Sequence, residues 1–369
     1  MTEDMFRFAD DLGPAKIIHI LEPAAGLKAI LVVDNVAAGP AIGGMRMAPD
    51  VSAEECFRLA RAMTLKNAAA ALRHGGGKAV IFGDPRVPEA EKERLVRAFA
   101  CAIREVTEYI AGPDMGTDER CMAWTKDEIG RAVGLPPEIG GIPLDEIGAT
   151  GFGLSVCAEV ARDFCDLELD GARVAVQGFG SVGQHAARFL SEKGARLVAA
   201  ADSKGTLADP AGIDLARLIE HKRGGAGVAD YPDGERMPPE AVVDVACDIW
   251  IPAARPDVIH AGNVDRLDAK LVLEGANIPI TPEAEQVLHE RGILAIPDFI
   301  ANAGGVICGA VEYAGGTERQ AFETIEEKIR ANTRKVLEDA RRASVPPRDA
   351  ALALALQRVR AANSYRRWS

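Results

Sequence analysis

Residues 173–202 constrain the fold most, because they predict a strand, a glycine turn, a helix and a second strand that ends in an acid. Gly178 permits the tight turn out of the strand, Gly180 lets the backbone approach a pyrophosphate, and Gly183 lets the helix pack closely on the sheet. Unpaired N–H groups at the helix N-terminus would then bind the diphosphate. The apolar period switches from strand to helix and back, so the segment predicts a dinucleotide site far more specifically than three glycines alone.

The acid at the end of this unit predicts which dinucleotide is bound. Asp202 lies 19 residues beyond Gly183, where a carboxylate can accept hydrogen bonds from the adenosine ribose and would repel a 2′-phosphate. The sequence therefore predicts NAD as the cofactor, in preference to NADP. Ser203 and Lys204 follow directly and could weaken this selectivity by reaching a 2′-phosphate.

Composition narrows the class of protein. A chain of 369 residues with 48% hydrophobic content exceeds the usual size of one core, so we expect two domains. The net charge of −12 argues against a nucleic-acid partner, whose phosphates require Lys and Arg. No apolar stretch approaches the roughly 20 residues of a membrane span, and the acidic N-terminus does not resemble a secretory signal. We therefore expect a cytoplasmic protein with no membrane partner.

The seven cysteines are odd in number and never have Cys-x-x-Cys spacing. This distribution favours reduced, buried thiols over a disulfide framework, and it predicts no metal site.

Apolar periodicity predicts an α/β protein in three parts. The first is a substrate-binding and oligomerisation domain at 1–147, the second is a Rossmann-type, doubly wound NAD-binding domain at 148–318, and the third is a helical segment at 319–369 that packs back across the hinge. The last part should break at Pro346-Pro347. In the first part we predict strands at Lys16–Leu21, Lys28–Asp34 and Lys78–Phe82 and helices at 52–73 and 89–110. In the second, apolar runs at 249–252, 271–273 and 293–296 predict buried parallel strands.

Three charged residues of the first part stand in unusual settings. Lys66 lies among apolar helix residues, Lys78 follows three glycines and precedes an apolar strand, and Asp114 lies in Gly-Pro-Asp-Met-Gly-Thr. Each alone has an ordinary structural explanation, such as a solvated lysine or a turn. Together, two lysines in surroundings of low dielectric can bind a carboxylate and help to move a proton, which is the chemistry of an amino-acid substrate.

At this point the chain resembles the glutamate, leucine, phenylalanine and valine dehydrogenase superfamily, and its length is close to that of the leucine and phenylalanine enzymes. Eight matching motifs occur in family order over roughly residues 25–315. They are Gly-Gly-Met-Arg at 43–46, Met-Thr-Leu-Lys-Asn-Ala-Ala at 63–69, Gly-Gly-Gly-Lys at 75–78, Pro-Asp-Met-Gly-Thr at 113–117, Ala-Thr-Gly-Phe-Gly at 149–153, Gly-Phe-Gly-Ser-Val-Gly at 178–183, Glu-Gly-Ala-Asn at 274–277 and Asn-Ala-Gly-Gly-Val at 302–306.

The resemblance implies NAD-dependent oxidative deamination of an L-amino acid to a 2-oxo acid and ammonium, and the reverse reaction, by a homo-oligomer. It implies that Lys78 and Asp114 are catalytic and that Lys66, with the backbone of Gly43 and Gly44, binds the substrate α-carboxylate. Further expected substrate-binding residues are Ile42, Gly112, Val306, Gly309 and Asn277. Expected cofactor-binding residues are Gly178, Phe179, Gly180, Ser181, Val182, Gly183, Asp202, Ser203, Thr150, Pro252, Ala253, Asn277 and Asn302.

Two positions bear on the substrate side chain. Glutamate dehydrogenases of the family generally have a lysine immediately before Gly-Gly-x-Arg, whereas this chain has Ile42. They also have a serine three residues after the valine of Asn-Ala-Gly-Gly-Val, where this chain has Gly309. Because an unpaired buried carboxylate costs several kcal/mol, we expect an apolar substrate, branched-chain or aromatic. Glutamate is the alternative, because residues 113–119, 122–124 and 274–284 look more like those of glutamate dehydrogenase than of leucine dehydrogenase.

Two other classes of protein also fit the dinucleotide unit. A 2-hydroxy-acid dehydrogenase would need a histidine paired with a carboxylate, and none of the six histidines lies in such a setting. A catalytically inactive NAD-binding sensor would not need Lys66, Lys78 and Asp114 together. Turnover of 2-oxo acids with ammonium and NADH would separate the enzyme from the sensor.

Overall fold

The computed structural model describes residues 6–367, which pack into two units. The first unit comprises the described residues up to Pro143, together with Val306–Ala321 and the described residues from Leu352 onward. The second comprises Leu144–Gly305 and Phe322–Ala351.

The first unit is built on a five-stranded mixed sheet in the order β1-β2-β4-β3-β5. Strand β3 is parallel to β4 and to β5, whereas β2 is antiparallel to β1 and to β4. The elements are β1 (Lys16–Glu22), β2 (Leu27–Asn35), β3 (Ala41–Ala48), α1 (Ala53–Ala69), β4 (Gly75–Phe82), α2 (Glu89–Ala102), β5 (Tyr109–Pro113) and α3 (Glu119–Ile129).

Apolar residues on both faces of this sheet are buried. One face packs against α2 and α3 through residues such as Met45, Phe99 and Met122. The other packs against α1, whose Cys56 and Ala60 belong to a second buried cluster. Burial on both faces fixes the register of β3 and β4, because a shift of one residue would exchange the two faces.

The second unit is built on a seven-stranded sheet in the order β12-β11-β10-β6-β7-β8-β9. Neighbouring strands from β12 to β7 are parallel, and β8 and β9 are antiparallel to their neighbours. The elements are α4 (Leu144–Ile147), α5 (Ala149–Ala161), β6 (Arg173–Gln177), α6 (Ser181–Ser191), β7 (Arg196–Asp202), β8 (Gly205–Ala208), α7 (Leu215–Arg223), β9 (Glu235–Met237), β10 (Ile249–Pro252), β11 (Leu271–Leu273), α8 (Pro282–Glu290), β12 (Leu294–Ile296) and α9 (Asp298–Ala301).

The predicted α/β class with a Rossmann-type sheet is confirmed, and β6, α6 and β7 form within residues 173–202. The prediction of a helix at 89–110 was wrong at its C-terminal end. Helix α2 ends at Ala102, and Tyr109 and Ile110 belong to β5, where both side chains are fully buried.

Three helices complete the chain: α10 (Gly304–Tyr313), α11 (Glu318–Ala343) and α12 (Pro347–Asn363). The predicted break at Pro346-Pro347 is confirmed, because α12 begins at Pro347, whose ring is tolerated in a first helical turn. Among residues 6–367, no helix is both long and apolar enough to cross a membrane.

Candidate functional site

Gly44 of β3 makes room for an ion pair between residues of the two neighbouring segments. A Cβ atom at Gly44 would lie 2.5 Å from Asp114 Oδ2 and 2.9 Å from Lys78 Nζ. Lys78 lies on the neighbouring strand β4 and Asp114 directly follows β5, and the Lys78 ammonium donates a hydrogen bond to Asp114 Oδ2. The structure thus brings the two predicted catalytic residues into direct contact beside Gly44.

Arg46 extends this pair into a network. Its Nε donates to Asp114 Oδ1 at 2.9 Å and its Nη1 donates to Glu55 Oε1 at 2.6 Å. Burial acts to raise the pKa of Asp114, but the charges of Lys78 and Arg46 outweigh it and lower the pKa below the usual value of 3.8. Asp114 is therefore a carboxylate at neutral pH, stabilised by two cations.

Lys66 lies in the last turn of α1, half-buried, close to the same strands. Its neighbour Asn67 is fully buried and donates to the carbonyl oxygens of Ile42 at 3.3 Å and Gly75 at 2.7 Å. A Cβ at Gly76 would lie 2.0 Å from Thr64 N, so the glycine lets α1 pack directly against β4. These contacts fix the end of α1 that carries Lys66 beside the start of β3.

The other predicted substrate-binding residues of this unit surround an apolar cluster. Ile42, Ile110 and Val133 form the cluster, with the half-buried Ala310 of α10 packed against it. Cβ atoms at Gly112 and Gly309 would lie 3.3 and 3.5 Å from Val133 Cγ2. The structure therefore gathers Ile42, Gly112 and Gly309 around Val133, a residue that sequence reasoning missed, and it places Val306 on the same helix as Gly309.

The glycine turn of the second unit fits a dinucleotide. Gly178 has φ +95°, and a Cβ there would lie 2.7 Å from Ala254 N. A Cβ at Gly183 would lie 2.2 Å from Gly178 O, whereas one at Gly180 would meet nothing within 4 Å. Helix α6 begins at Ser181 without a side-chain cap, so its first N–H groups face the open side at Gly180. This is the cradle that a pyrophosphate requires.

The remaining residues expected at the cofactor lie around this turn. Phe179 N donates to Ala201 O at 2.8 Å, and Ala253 N donates to Gln177 O at 2.7 Å, which places the Pro252–Ala253 segment beside the turn. A Cβ at Gly275 would lie 3.2 Å from Val182 Cγ1. Ser203 follows Asp202 in the tight turn between β7 and β8.

Thr150, Asn277 and Asn302 also lie in the second unit. Asn302 Nδ2 donates to Asn277 Oδ1 at 3.0 Å, and to the carbonyl oxygens of Gly275 and Ala276 at 3.3 and 3.2 Å. A Cβ at Gly305 would lie 3.2 Å from Thr150 Oγ1. Asn277 and Asn302 are thus in direct contact at the carboxyl end of the sheet, which is where ligands bind in open α/β folds.

Sequence reasoning assigned no role to Glu55 or to Arg348. Arg46 belongs to the Gly-Gly-Met-Arg motif, and this motif was the sequence signal that pointed to Arg46, which bonds to Asp114 in the structure. Arg348 pairs with residues 50 to 74 positions away, and no local pattern predicts such a contact.

All seven cysteines are free thiols, and Cys101 is exposed although we expected buried thiols. Throughout residues 6–367, no three His, Cys, Asp or Glu side chains are grouped so as to hold a metal ion.

Comparison with known proteins is consistent with both parts of the site. Residues 17–131 match the model of the Glu/Leu/Phe/Val dehydrogenase dimerisation domain, and residues 140–367 match the Glutamate/Leucine/Phenylalanine/Valine dehydrogenase model. The chain belongs to this family of amino-acid dehydrogenases. It is an oxidoreductase of the amino-acid dehydrogenase type.

Individual relatives differ in the substrate that they are named for. The chain is 40% identical to a glutamate dehydrogenase of Thermotoga maritima over 91% of this chain and 85% of that protein. A crystal structure of the hetero-hexameric glutamate dehydrogenase from Thermus thermophilus, in a leucine-bound form, has a TM-score of 0.84 at 30% identity, covering 95% of this chain and 89% of that one. L-tryptophan dehydrogenase from Nostoc punctiforme has a TM-score of 0.73 at 27% identity, covering 96% and 98%.

Proposed function

We propose that this chain catalyses the reversible NAD-dependent oxidative deamination of an L-amino acid with an uncharged, apolar side chain. The reaction converts the amino acid, NAD⁺ and water into the 2-oxo acid, ammonium, NADH and a proton. The observation that carries the proposal is the contact of Lys78 with Asp114 beside Gly44. This contact supports the proposal, because an amine beside a carboxylate is suited to passing a proton to and from a substrate amine.

The first unit supplies the groups that handle the substrate. Lys66, with the backbone of Gly43 and Gly44, binds the α-carboxylate, because an ammonium is a strong partner for a carboxylate. Lys78 orients the attacking water and polarises the carbonyl. The ionised Asp114 takes the proton that the substrate ammonium must lose before hydride transfer.

Residues of the second unit would hold the cofactor, which would supply a hydride acceptor when bound. The N-terminus of α6 and the turn at 178–183 bind the diphosphate. Thr150, Asn277 and Asn302 hold the nicotinamide end, because amide and hydroxyl groups can pair with a carboxamide and a ribose.

The side-chain preference is supported by the surroundings of Ile42. This side chain is 4% exposed and packs in the apolar cluster with Ile110 and Val133. Gly309 presents no hydroxyl, and the titratable acid of α10 is Glu312, which can supply no positive charge. A substrate methyl or ring against this surface gains roughly 25 cal/mol per Å² buried, whereas a γ-carboxylate would lack a counter-charge.

Glutamate is the second candidate, because the Thermotoga maritima relative is named glutamate dehydrogenase. This candidate requires a cation near the substrate side chain. Arg46 already pairs with the carboxylates of Asp114 and Glu55, and these two anions compensate its charge. We rank the apolar substrate first on this ground.

The test is a comparison of kcat/KM for L-leucine, L-valine, L-phenylalanine, L-tryptophan and L-glutamate with NAD at alkaline pH, following NADH absorbance. We expect one of the first four to exceed glutamate by at least about 100-fold, because an unpaired buried carboxylate costs several kcal/mol. A preference for glutamate would overturn the apolar assignment and leave the reaction type standing. No turnover with any of the five would contradict the proposed activity.

We also propose that the chain is a homo-oligomer. Support comes from the match of residues 17–131 to a domain described as a dimerisation domain. Light scattering coupled to size-exclusion chromatography tests this, and a mass near 39.1 kDa would contradict it.

A further inference from the structure

The carboxylate of Asp202 binds a lysine, and the sequence did not predict this contact. Asp202 ends β7, and Lys222 lies near the C-terminal end of α7. Lys222 Nζ donates to Asp202 Oδ2 at 2.6 Å, and the two side chains are 20% and 13% exposed. Burial works to raise the pKa of Asp202, but hydrogen bonds from Lys222 and from backbone N–H groups lower it below the usual value. This is therefore a largely desolvated ion pair at the end of the strand.

Two backbone N–H groups occupy further lone pairs of the Asp202 carboxylate. Val228 N donates to Oδ2 at 2.9 Å and Lys204 N donates to Oδ1 at 2.9 Å. A carboxylate has about four lone-pair sites, and three of those on Asp202 are filled. Two ribose hydroxyls would need two acceptor sites, so an adenosine ribose cannot be bound by both hydroxyls unless one donor leaves. Asp202 is thus a weaker partner for NAD than an unengaged acid would be.

The net charge around the Asp202 carboxylate also differs from that around an acid without a cationic neighbour. Lys222 compensates Asp202, and Lys204 lies in the two-residue turn between β7 and β8, with its ammonium 3.4 Å from Gly225 O. Asp230 lies on the same segment as Val228, and its Oδ2 accepts from Gly227 N at 2.8 Å. Lys222 contacts Asp202 through its ammonium and Lys204 contacts it through its backbone N–H, so a phosphate bound beside Asp202 would meet cations as well as an anion.

We propose that this site accepts NADP as well as NAD, and that Lys222 is the specificity-determining residue. When NADP binds, the Lys222 ammonium turns from Asp202 to the 2′-phosphate, which gains a charge-assisted hydrogen bond. When NAD binds, Lys222 stays on Asp202. The inference rests on the proposed function for the place of the dinucleotide, but it does not depend on which amino acid is oxidised.

Equilibrium binding without any amino acid tests the inference separately from the reaction. Isothermal titration of the whole protein with NADH, NADPH, 5′-AMP and 2′,5′-ADP gives four dissociation constants. We expect the wild-type constants for NADPH and NADH to agree within about tenfold, which is 1.4 kcal/mol. The affinity for 2′,5′-ADP should also fall more steeply with salt than that for 5′-AMP, because more charge is neutralised.

Lys222→Met keeps the length of the side chain and removes its charge. We expect it to weaken NADPH and 2′,5′-ADP by about 10- to 150-fold, the range of one charge-assisted hydrogen bond, and to change NADH by less than about threefold. Arg223→Met is the matched control, because Arg223 is the adjacent residue of α7 and pairs with the exposed Glu220. It should leave the ratio of the two affinities unchanged.

Three results would overturn the inference. The first is a wild-type preference for NADH over NADPH above about 100-fold. The second is that Lys222→Met weakens NADH and NADPH equally. The third is that Arg223→Met changes the ratio of the NADPH and NADH affinities as much as Lys222→Met does. The wild-type ratio decides the question even if Lys222→Met does not fold. Binding of both nucleotides without turnover of any amino acid would contradict the proposed function and leave this inference standing.

Discussion

Replacing Arg348 with methionine is expected to destabilise the second unit strongly. The guanidinium of Arg348, in the first turn of α12, bonds to three buried carboxylates. Its Nη2 donates to Glu274 Oε2 at 2.7 Å, its Nη1 to Asp298 Oδ1 at 3.0 Å and its Nε to Glu285 Oε1 at 2.5 Å. The three acids come from the end of β11, from α9 and from α8, so one side chain joins three segments.

The size of the effect follows from the burial of those acids. Their side chains are 0%, 9% and 10% exposed, for Glu274, Asp298 and Glu285 in turn. Removing one partner of a buried ion pair costs about 3–5 kcal/mol, because the remaining charge is left uncompensated. At about 2–4 °C per kcal/mol for a unit of this size, the melting temperature should fall by roughly 6–20 °C.

The loss should also depend on pH. Burial is the main cause that raises the pKa of Glu274 well above its usual value of 4.5, and the charge of Arg348 acts against that rise. A carboxyl whose pKa is raised on folding stabilises the protein below its unfolded pKa, and this stability is lost as the pH rises through the folded pKa. Without Arg348 the pKa of Glu274 rises further, so the variant should lose more stability at pH 8 than at pH 5.

Thermal unfolding at fixed protein concentration, at pH 5 and pH 8, measures both effects. Arg330→Met is the matched control, because Arg330 is 40% exposed and pairs with Glu159 and Glu326. An exposed pair contributes about 0–1 kcal/mol, so its melting temperature should change little. Equal shifts in the two variants, or a shift for Arg348→Met that is the same at both pH values, would refute the argument from buried charge.

Three further substitutions test the roles assigned in the first unit. Lys78→Ala should lower kcat by about 10²–10⁴-fold, the usual contribution of a proton-transfer group, with NADH binding retained by titration; a kcat near that of the wild type would contradict this role. Lys66→Ala should chiefly raise KM for the 2-oxo acid in steady-state kinetics, because a carboxylate clamp acts in the ground state and the transition state alike. Ile42→Lys should raise kcat/KM for glutamate relative to leucine; no change in that ratio would place Ile42 away from the substrate side chain.

The segments that were predicted well are those with a local signal. Strands β10 and β11 span the predicted apolar runs, because strands buried on both faces need nearly continuous apolar residues. Strand β3 was recognised as a motif but was not predicted as a strand. It contains Gly43 and Gly44, which pack poorly in most strands, and it forms because β4 and β5 pair with it on both sides.

The charged networks could be predicted only in part. Lys78 and Asp114 were found because glycines and apolar residues surround them in the sequence. The partner of Asp202 could not be found in this way, since Lys222 lies 20 residues away on a charged helix whose sequence is typical of a solvated surface. Contacts of this kind depend on how α7 packs beside the turn after β7, and the local pattern does not contain that information.

Similarity over a whole chain and substrate preference depend on different residues. The chain is 40% identical to a glutamate dehydrogenase, and enzymes with different amino-acid substrates can share the residues that build two sheets and bind a dinucleotide. The side-chain preference depends on whether a second carboxylate finds a cation. An unpaired buried carboxylate costs several kcal/mol, or about two to three orders of magnitude in kcat/KM. One residue at position 42 can therefore outweigh a much larger number of shared positions, and this is why we rank an apolar substrate above glutamate.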